Sequence, residues 1–336
     1  MNPLFSFNTL RLKLFGLMLC TAVSTPALAA EPGCPSEDLP TFVKAFSVSP
    51  ELQKTYTATP VTEQRVAYDD KAYPITLRHK VLALKPGALA LLDSEAQAKA
   101  GLKTFWVDDV TLVVHDTLGD VLQAFVFKKN TCWNLVRFEE WSVESLLNEH
   151  VPANETALER EVRKADIYQG YGSRETYLLT QYFFVLAQLI DLHAAEQGSS
   201  EGATNAIRLG YSGMSPEIAP ALIEKLLLTH ADKDETAAGM LSYFYCDRGN
   251  TEHQGPCQDP GKANETLIMA IKKFDSGALY ASLAYNLMDE NRGKPDMPRG
   301  LACLQEAAKR GHDESLGTLA RMIKMSDVPQ PGATCL

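Results

Sequence analysis

The sequence predicts an α+β unit followed by an all-α superhelical solenoid of helix hairpins. Two observations carry this. Between residues 103 and 138, four short runs rich in β-branched and aromatic residues are separated by turn-forming pairs. Past residue 170, one helix signature recurs four times: a Leu, a small residue directly after it, and an apolar residue four places after the Leu. The expected organisation is a signal peptide over 1–29, an α+β domain over 30–145, a linker over 146–172, helical repeats over 173–325 and a tail over 326–336.

The first thirty residues read as an address. Arg11 and Lys13 form a positive start, Leu14 through Val23 an apolar run, and Ala27-Leu28-Ala29 a small-x-small cleavage site before Ala30. The run is too short for a membrane anchor. A rival reading makes Leu17-Met18-Leu19-Cys20 a lipoprotein acylation site, against which stands bulky Leu19 where a small residue is wanted. Cleavage near Ala29 predicts a periplasmic protein with no stable membrane anchor. Losing Arg11 and Lys13 takes the formal net charge from −10 to −12. Such acidity argues against nucleic acid and anionic lipid as partners and suits a basic protein partner.

Besides Cys20 there are six cysteines, an even count that in an exported chain reads as three disulfides. Their grouping along the chain predicts Cys34–Cys132, Cys246–Cys257 and Cys303–Cys335.

In the first unit, Ser36 is placed to cap a helix carrying Leu39, Phe42, Val43 and Phe46 on one face. Pro50 starts a second short turn with Leu52 and Tyr56 inward. The stretch to Pro74 is open, with room for an early strand; Ile75–Leu84 reads as a strand and Leu91–Ala100 as a helix stopped by Gly101. Four strands follow: Lys103–Val107, Val110–His115, Val121–Lys128 and Thr131–Phe138. The third is apolar on both faces, so it must be covered on two sides, and the N-terminal helix is expected to pack across an antiparallel sheet. Helices first and a curved meander last resembles the cone-shaped nuclear-transport-factor-two or cystatin-like rolls. Cys34-Pro35-Ser36 and Cys132-Trp133-x-Leu135-Val136 also resemble uncharacterised exported bacterial domains, which bring no chemistry with them.

The recurring helix signature reads Leu186-Ala187…Ile190, Leu241-Ser242…Tyr245, Leu283-Ala284…Leu287 and Leu319-Ala320…Ile323, at spacings of 55, 42 and 36 residues. The small residue lets a neighbouring helix approach closely. A second helix follows each of the first three copies. It is clearest as Asp296-x-x-Arg299-Gly300-x-x-Cys303-x-x-Glu306-Ala307-Ala308-x-x-Gly311. Fainter copies begin at Asp259 and Ser215, each with a Pro beside the capping residue. These residues resemble the Sel-one-like repeat, a relative of the tetratricopeptide repeat, from about Ser173 to Met325. The first-helix Gly of that family is Ala or Ser in every copy, the aromatic second-helix position is Cys303, Thr266 or Leu222, and the first unit carries an insertion around Gly198–Gly213. The resemblance implies three full degenerate repeats and one half, acting as an adaptor or scaffold with no catalytic residues. One hairpin cannot bury its apolar face alone, so stacked hairpins share a core and leave a curved inner surface.

Chemical constellations are few. Adjacent His115 and Asp116 point to opposite faces of a strand and make a poor base–carboxylate pair. Cys246-x6-His253-x3-Cys257 resembles a zinc loop, yet it lacks a fourth ligand and lies in an oxidising compartment. Glu139-Glu140 reads as a strand end meeting solvent, and Tyr177, Tyr182, Phe183 and Phe184 as core. No hydrolase, metalloprotease, phosphate-loop or dinucleotide motif occurs. No cofactor and no metal are expected, and the chain is read as not an enzyme. The position two after each signature Leu, turned about 150° from the packed face, holds Gln188, Tyr243, Tyr285 and Arg321, the expected partner-binding column. The function expected is a periplasmic protein-binding adaptor or scaffold, with immunity against a secreted antibacterial toxin as one version. The alternative is a small-ligand or enzymatic site in a pocket of the N-terminal roll.

Overall fold

The computed structural model describes residues 33–174, 177–249, 255–324 and 333–336. The segment expected to be a signal peptide, with Cys20, together with His253 and most of the expected C-terminal tail, lies outside the described residues, as does the side chain of Ile323.

Helix α1 (Leu39–Val48) starts one turn from Cys34. Its N-cap is Asp38, whose carboxylate accepts from Thr41 N at 3.0 Å; Ser36, the expected cap, instead accepts from Asp38 N. Ser49 caps α2 (Pro50–Tyr56). The stretch left open by the sequence is a long strand, β1 (Thr57–Tyr68), followed by β2 (Pro74–Val81). Helix α3 is shorter than expected, Ser94–Ala100, and stops at Gly101, which adopts φ 68°. The strands β3 (Lys103–Asp108), β4 (Thr111–His115), β5 (Leu122–Lys129) and β6 (Trp133–Glu140) then form the expected meander.

The sheet order is β2-β1-β6-β5-β4-β3. All pairs are antiparallel except one: β1 runs parallel to β6, which corrects the expectation of a purely antiparallel sheet. Placing β1 there covers the free edge of β6 and puts both strands in the sheet's interior.

Both faces of β5 are buried. On one side Phe125 and Phe127 pack with Leu112, Val114 and the α1 residues Phe42 and Phe46. The space between α1 and the sheet, where a roll would hold a ligand, is filled by these rings. Trp133 closes its end, donating to Glu37 O at 3.0 Å. The Cys34–Cys132 disulfide joins the segment before α1 to the β5–β6 turn.

The other face is covered by the helical half. Residues 146–172, expected as a linker, hold the end of α4 (Glu144–Asn148) and the whole of α5 (Ala157–Gly172). A capping box between Thr156 and Glu159 opens α5. Together with α6 (Thr180–Glu196) it lays Tyr168, Tyr171, Phe183 and Leu186 onto Val66, Val113, Leu122, Ala124 and Trp141 of the sheet unit, in one continuous core. The Tyr168 hydroxyl donates to Gly119 O at 2.7 Å and the Tyr171 hydroxyl to Ile75 O at 2.9 Å. Two apolar faces of one sheet thus need two partners, and the second comes from beyond the expected boundary.

The chain continues through α7 (Ser200–Tyr211), α8 (Pro220–His230), α9 (Glu235–Asp247), α10 (Pro260–Phe274), α11 (Gly277–Met288), α12 (Met297–Lys309) and α13 (Asp313–Lys324). Consecutive helices pack in chain order, and α7 also touches α9, as α9 touches α11. That alternation makes α7, α9, α11 and α13 first helices and α8, α10 and α12 second helices. The segment read as an insertion around Gly198–Gly213 is therefore a repeat helix in its own right. Helix α6, which carries the Leu186-Ala187 signature, pairs with α5 and α7 rather than opening the first repeat. The fainter second-helix copy is shifted too: α8 starts from Ala219, with Pro220 as its first residue, instead of from Ser215.

Cys246–Cys257 and Cys303–Cys335 form the other two disulfides, as expected from the cysteine grouping. The first replaces the zinc-loop reading of that segment. Among the described residues no helix is long and apolar enough to cross a membrane, and no group of His, Cys, Asp or Glu is arranged to hold a metal ion.

Candidate protein-binding face

A side chain can serve recognition only if its helix turns it outward. N-caps set that phase here. Ser199, Asp234 and Ser276 are the N-caps of α7, α9 and α11, and at α13 the His312 Nδ1 accepts from Ser315 N at 3.2 Å in the same role. Counting equally from each cap reaches Arg208, Tyr243, Tyr285 and Arg321. Tyr243 and Tyr285 are 45% and 37% exposed, and both arginines are exposed. This is one arginine or tyrosine per first helix.

Three of the four expected residues therefore stand in the column. Gln188 does not. It is 4% exposed, and its Nε2 donates to Ala206 O at 3.3 Å and Pro216 O at 3.0 Å, stitching α6 to α7 and to the loop before α8. The Leu-small pattern misled because helices on either side of a hairpin need a small residue at their contact. Ser199 followed by Gly202, Ala203, Ala206 and Ile207 was the readable signal for the true first helix.

The column's chemistry is cationic and aromatic. Arg208 donates to Asn205 Oδ1 and Arg321 to Thr318 Oγ1, each at 3.1 Å and each to a neutral acceptor. Arg292, in the loop after α11, lays its guanidinium 5.1 Å from the Tyr243 ring centroid, a contact missed at the sequence level. Beside it lies a cavity of about 380 Å³ lined by Tyr285, Asn286, Met288, Asp289 and Arg292. Tyr211, at the end of α7, is pushed to a higher pKa by burial, with Asp247 and Tyr243 adding to it, and so remains a neutral phenol. The disulfide-closed loop after α9 supports this edge: Cys257 N donates to Asn291 O at 2.6 Å, so successive hairpin loops lean on each other.

The chemical constellations take structural parts. His115 Nδ1 lies 2.6 Å from the backbone oxygen of Asp116 and 2.8 Å from the Tyr182 hydroxyl, while the Asp116 carboxylate accepts from Val121 N across the turn. Glu139 is buried, not at a solvated strand end as expected. It accepts from Arg137 Nε at 2.6 Å and Trp141 Nε1 at 2.8 Å, a pairing that compensates the charge. Glu140 accepts from Gln123 Nε2 and from Ser142. Phe183 and Phe184 are buried, and Tyr177 and Tyr182 pack at the edge of the same core.

No protein-family model matches the chain, and no curated protein matches it. Among solved structures it is similar to a Sel1 repeat protein from Oxalobacter formigenes, at 20% identity and a TM-score of 0.40. The likeness covers 52% of this chain and 66% of that one, slightly under two thirds of its length. The repeat register given above rests on this chain's own N-caps and helix contacts.

Proposed function

We propose that this chain is a periplasmic adaptor built on degenerate Sel-one-like repeats, which holds a protein partner against its first-helix face and carries out no catalytic step. The observation that carries this reading is the column Arg208, Tyr243, Tyr285 and Arg321, repeated helix after helix and exposed throughout. Arginine and tyrosine dominate binding hot spots because each offers a large contact area with a polar end. Three disulfides and an apolar run at the N-terminus support an exported location. His115 and Glu139, the best-placed acid–base groups of the sheet unit, are already engaged in turn and core hydrogen bonds.

The partner takes one of two forms: a component of the cell envelope for which this chain is a scaffold, or a toxin delivered into the periplasm that it neutralises. A formal net charge of −10, or −12 once Arg11 and Lys13 are removed, suits a basic toxin body. The column would then meet the toxin's carboxylates and aromatic surface. Affinity capture from intact envelope separates the reading from its failure. Wild type and a variant carrying Arg208→Glu, Tyr243→Ala, Tyr285→Ala and Arg321→Glu are compared by quantitative mass spectrometry. A protein retained by wild type and depleted at least tenfold by the variant is the expected result. Identical recoveries would end the proposal. Survival of cells producing a toxin encoded next to this chain, lost with the same variant, singles out the immunity form.

A further inference from the structure

Hairpins α9–α10 and α11–α12 carry matching residues at matching positions when each helix is counted from its N-cap. Leu241 answers to Leu283, Ala263 to Gly300, Thr266 to Cys303 and Leu267 to Leu304, and all eight are buried. Among the places that differ, one loses a buried ring from the second hairpin to the first. In the second hairpin it holds Tyr280, and in the first Ala238. Tyr280 is buried with the Arg310 guanidinium 4.2 Å from its ring centroid, and Asp275 accepts from Arg310 Nε at 2.8 Å. An acid, an arginine and a ring are stacked in sequence there. Lys273 stands where Arg310 stands, and Asp232 precedes α9 much as Asp275 precedes α11. The first hairpin therefore keeps the cation and the acid, with the Lys273 ammonium 5.7 Å from the Phe274 ring centroid at the helix end, and has no ring at the Tyr280 place.

A cavity of about 440 Å³ opens at that place, between second helices α8 and α10 and over α9. Its walls include Ala238, Leu241, Leu228, Met269, Asp232 and Lys273. Leu228 and Met269 line its rim and are 55% and 59% exposed, apolar surface that water contacts at a cost. The far end is closed by Lys262, whose ammonium lies 4.0 Å from the Tyr245 ring centroid.

We propose that this cavity is a second binding site, which takes an aromatic side chain presented by a protein partner. The ring enters where Tyr280 lies in the next hairpin, with Lys273 available to its face and Leu228 and Met269 against its edge. An aliphatic side chain would fill the volume and forgo the cation–π attraction. The site lies on the second-helix side and stands or falls independently of the Arg–Tyr column.

The test uses the full mature protein with methionine methyl groups labelled for NMR, titrated with acetyl-Gly-Tyr-Gly-amide, acetyl-Gly-Leu-Gly-amide and p-cresol. The tyrosine peptide is expected to shift the Met269 methyl saturably, at least tenfold more tightly than the leucine peptide. Ala238→Tyr, which supplies the ring internally, and Met269→Glu at the exposed rim are each expected to weaken that binding at least tenfold. Should Ala238→Tyr fail to fold, Met269→Glu decides alone. An unmoved Met269 methyl, equal affinity for the two peptides, or unchanged binding by a folded variant overturns the proposal. Binding of p-cresol without the tyrosine peptide also overturns it, since the site would then belong to a free small molecule.

Discussion

Asp191 shows how one side chain records its surroundings. It lies on α6, 1% exposed, and its Oδ1 has no hydrogen-bond partner among the described residues. Burial pushes its carboxyl up to about 8, with Asp166 on α5 and Glu201 on α7 adding repulsion and Arg208 opposing it. The folded value exceeds the unfolded one, so folding favours the protonated form. Its stabilising contribution is complete below the ordinary carboxylate range near pH 4 and declines as pH rises to about 8. Asp191→Asn should therefore stabilise the protein by roughly 1–3 kcal/mol at pH 8, and by much less at pH 5. Urea unfolding at both values checks this; a gain independent of pH would show that the carboxyl is solvated. Gly119 is the other telling residue. It takes φ 74°, and a Cβ there would lie 2.8 Å from the Tyr168 hydroxyl that its own carbonyl binds, so only glycine serves both the turn and the docking of α5.

At the scale of elements, small residues decide which helices can nest. A Cβ on Gly202 would sit 2.7 Å from Asp191 O and 3.0 Å from Ala194 Cβ, so α7 approaches the backbone of α6 itself. Gly202→Ala is expected to cost roughly 1–3 kcal/mol, as overpacking does, and thermal denaturation reads it directly. A neutral substitution would place α7 farther from α6 than described. The same nesting explains the misplaced Gln188. Leu186-Ala187 and Leu241-Ser242 look alike because α6, packed against α5 and α7, and α9, packed against α10 and α11, meet the same steric demand. Their phase from the N-cap is the same, Gln188 lying nine residues past Leu179 as Tyr243 lies nine past Asp234. What separates them is cover, because α7 and the loop before α8 bury Gln188, which leaves Arg208 on α7 as the exposed residue. Strand existence was readable for the opposite reason: each run from 103 to 138 is bounded by its own turn signal within a few residues.

For the molecule as a whole, the sheet is the layer on which both cores are built. Its α1 face and its α5–α6 face are both apolar, and the second core runs unbroken from Val113 and Trp141 to Leu186 and Leu209. A fragment ending at residue 145 would leave Val113, Leu122, Ala124 and Trp141 uncovered. It is expected to bind the dye ANS and to self-associate, whereas the chain from residue 30 to 336, which keeps both this core and the next one along the helices covered, should be monodisperse and bind far less dye. A dye-silent, monomeric 30–145 fragment would show that the halves fold separately. Cys34–Cys132, closing a separation of 98 residues, contributes about 4–5 kcal/mol by chain entropy and acts on the α1 side of the sheet.

Local chemistry made much of this protein readable. Turn residues bounded the strands and the recurring Leu-small signature announced close-packed helices, because each of these signals is written close in sequence to where it acts. The three pairings followed instead from an even cysteine count and its grouping, even across the 98 residues between Cys34 and Cys132. Other features depend on residues brought together from far apart. The parallel seating of β1 beside β6, the use of α5 and α6 as the sheet's second cover, the exchange of Gln188 for Arg208 and the unfilled place at Ala238 all belong to that class. Each is settled by many weak contacts summed over an interface, and no single stretch of chain carries that sum.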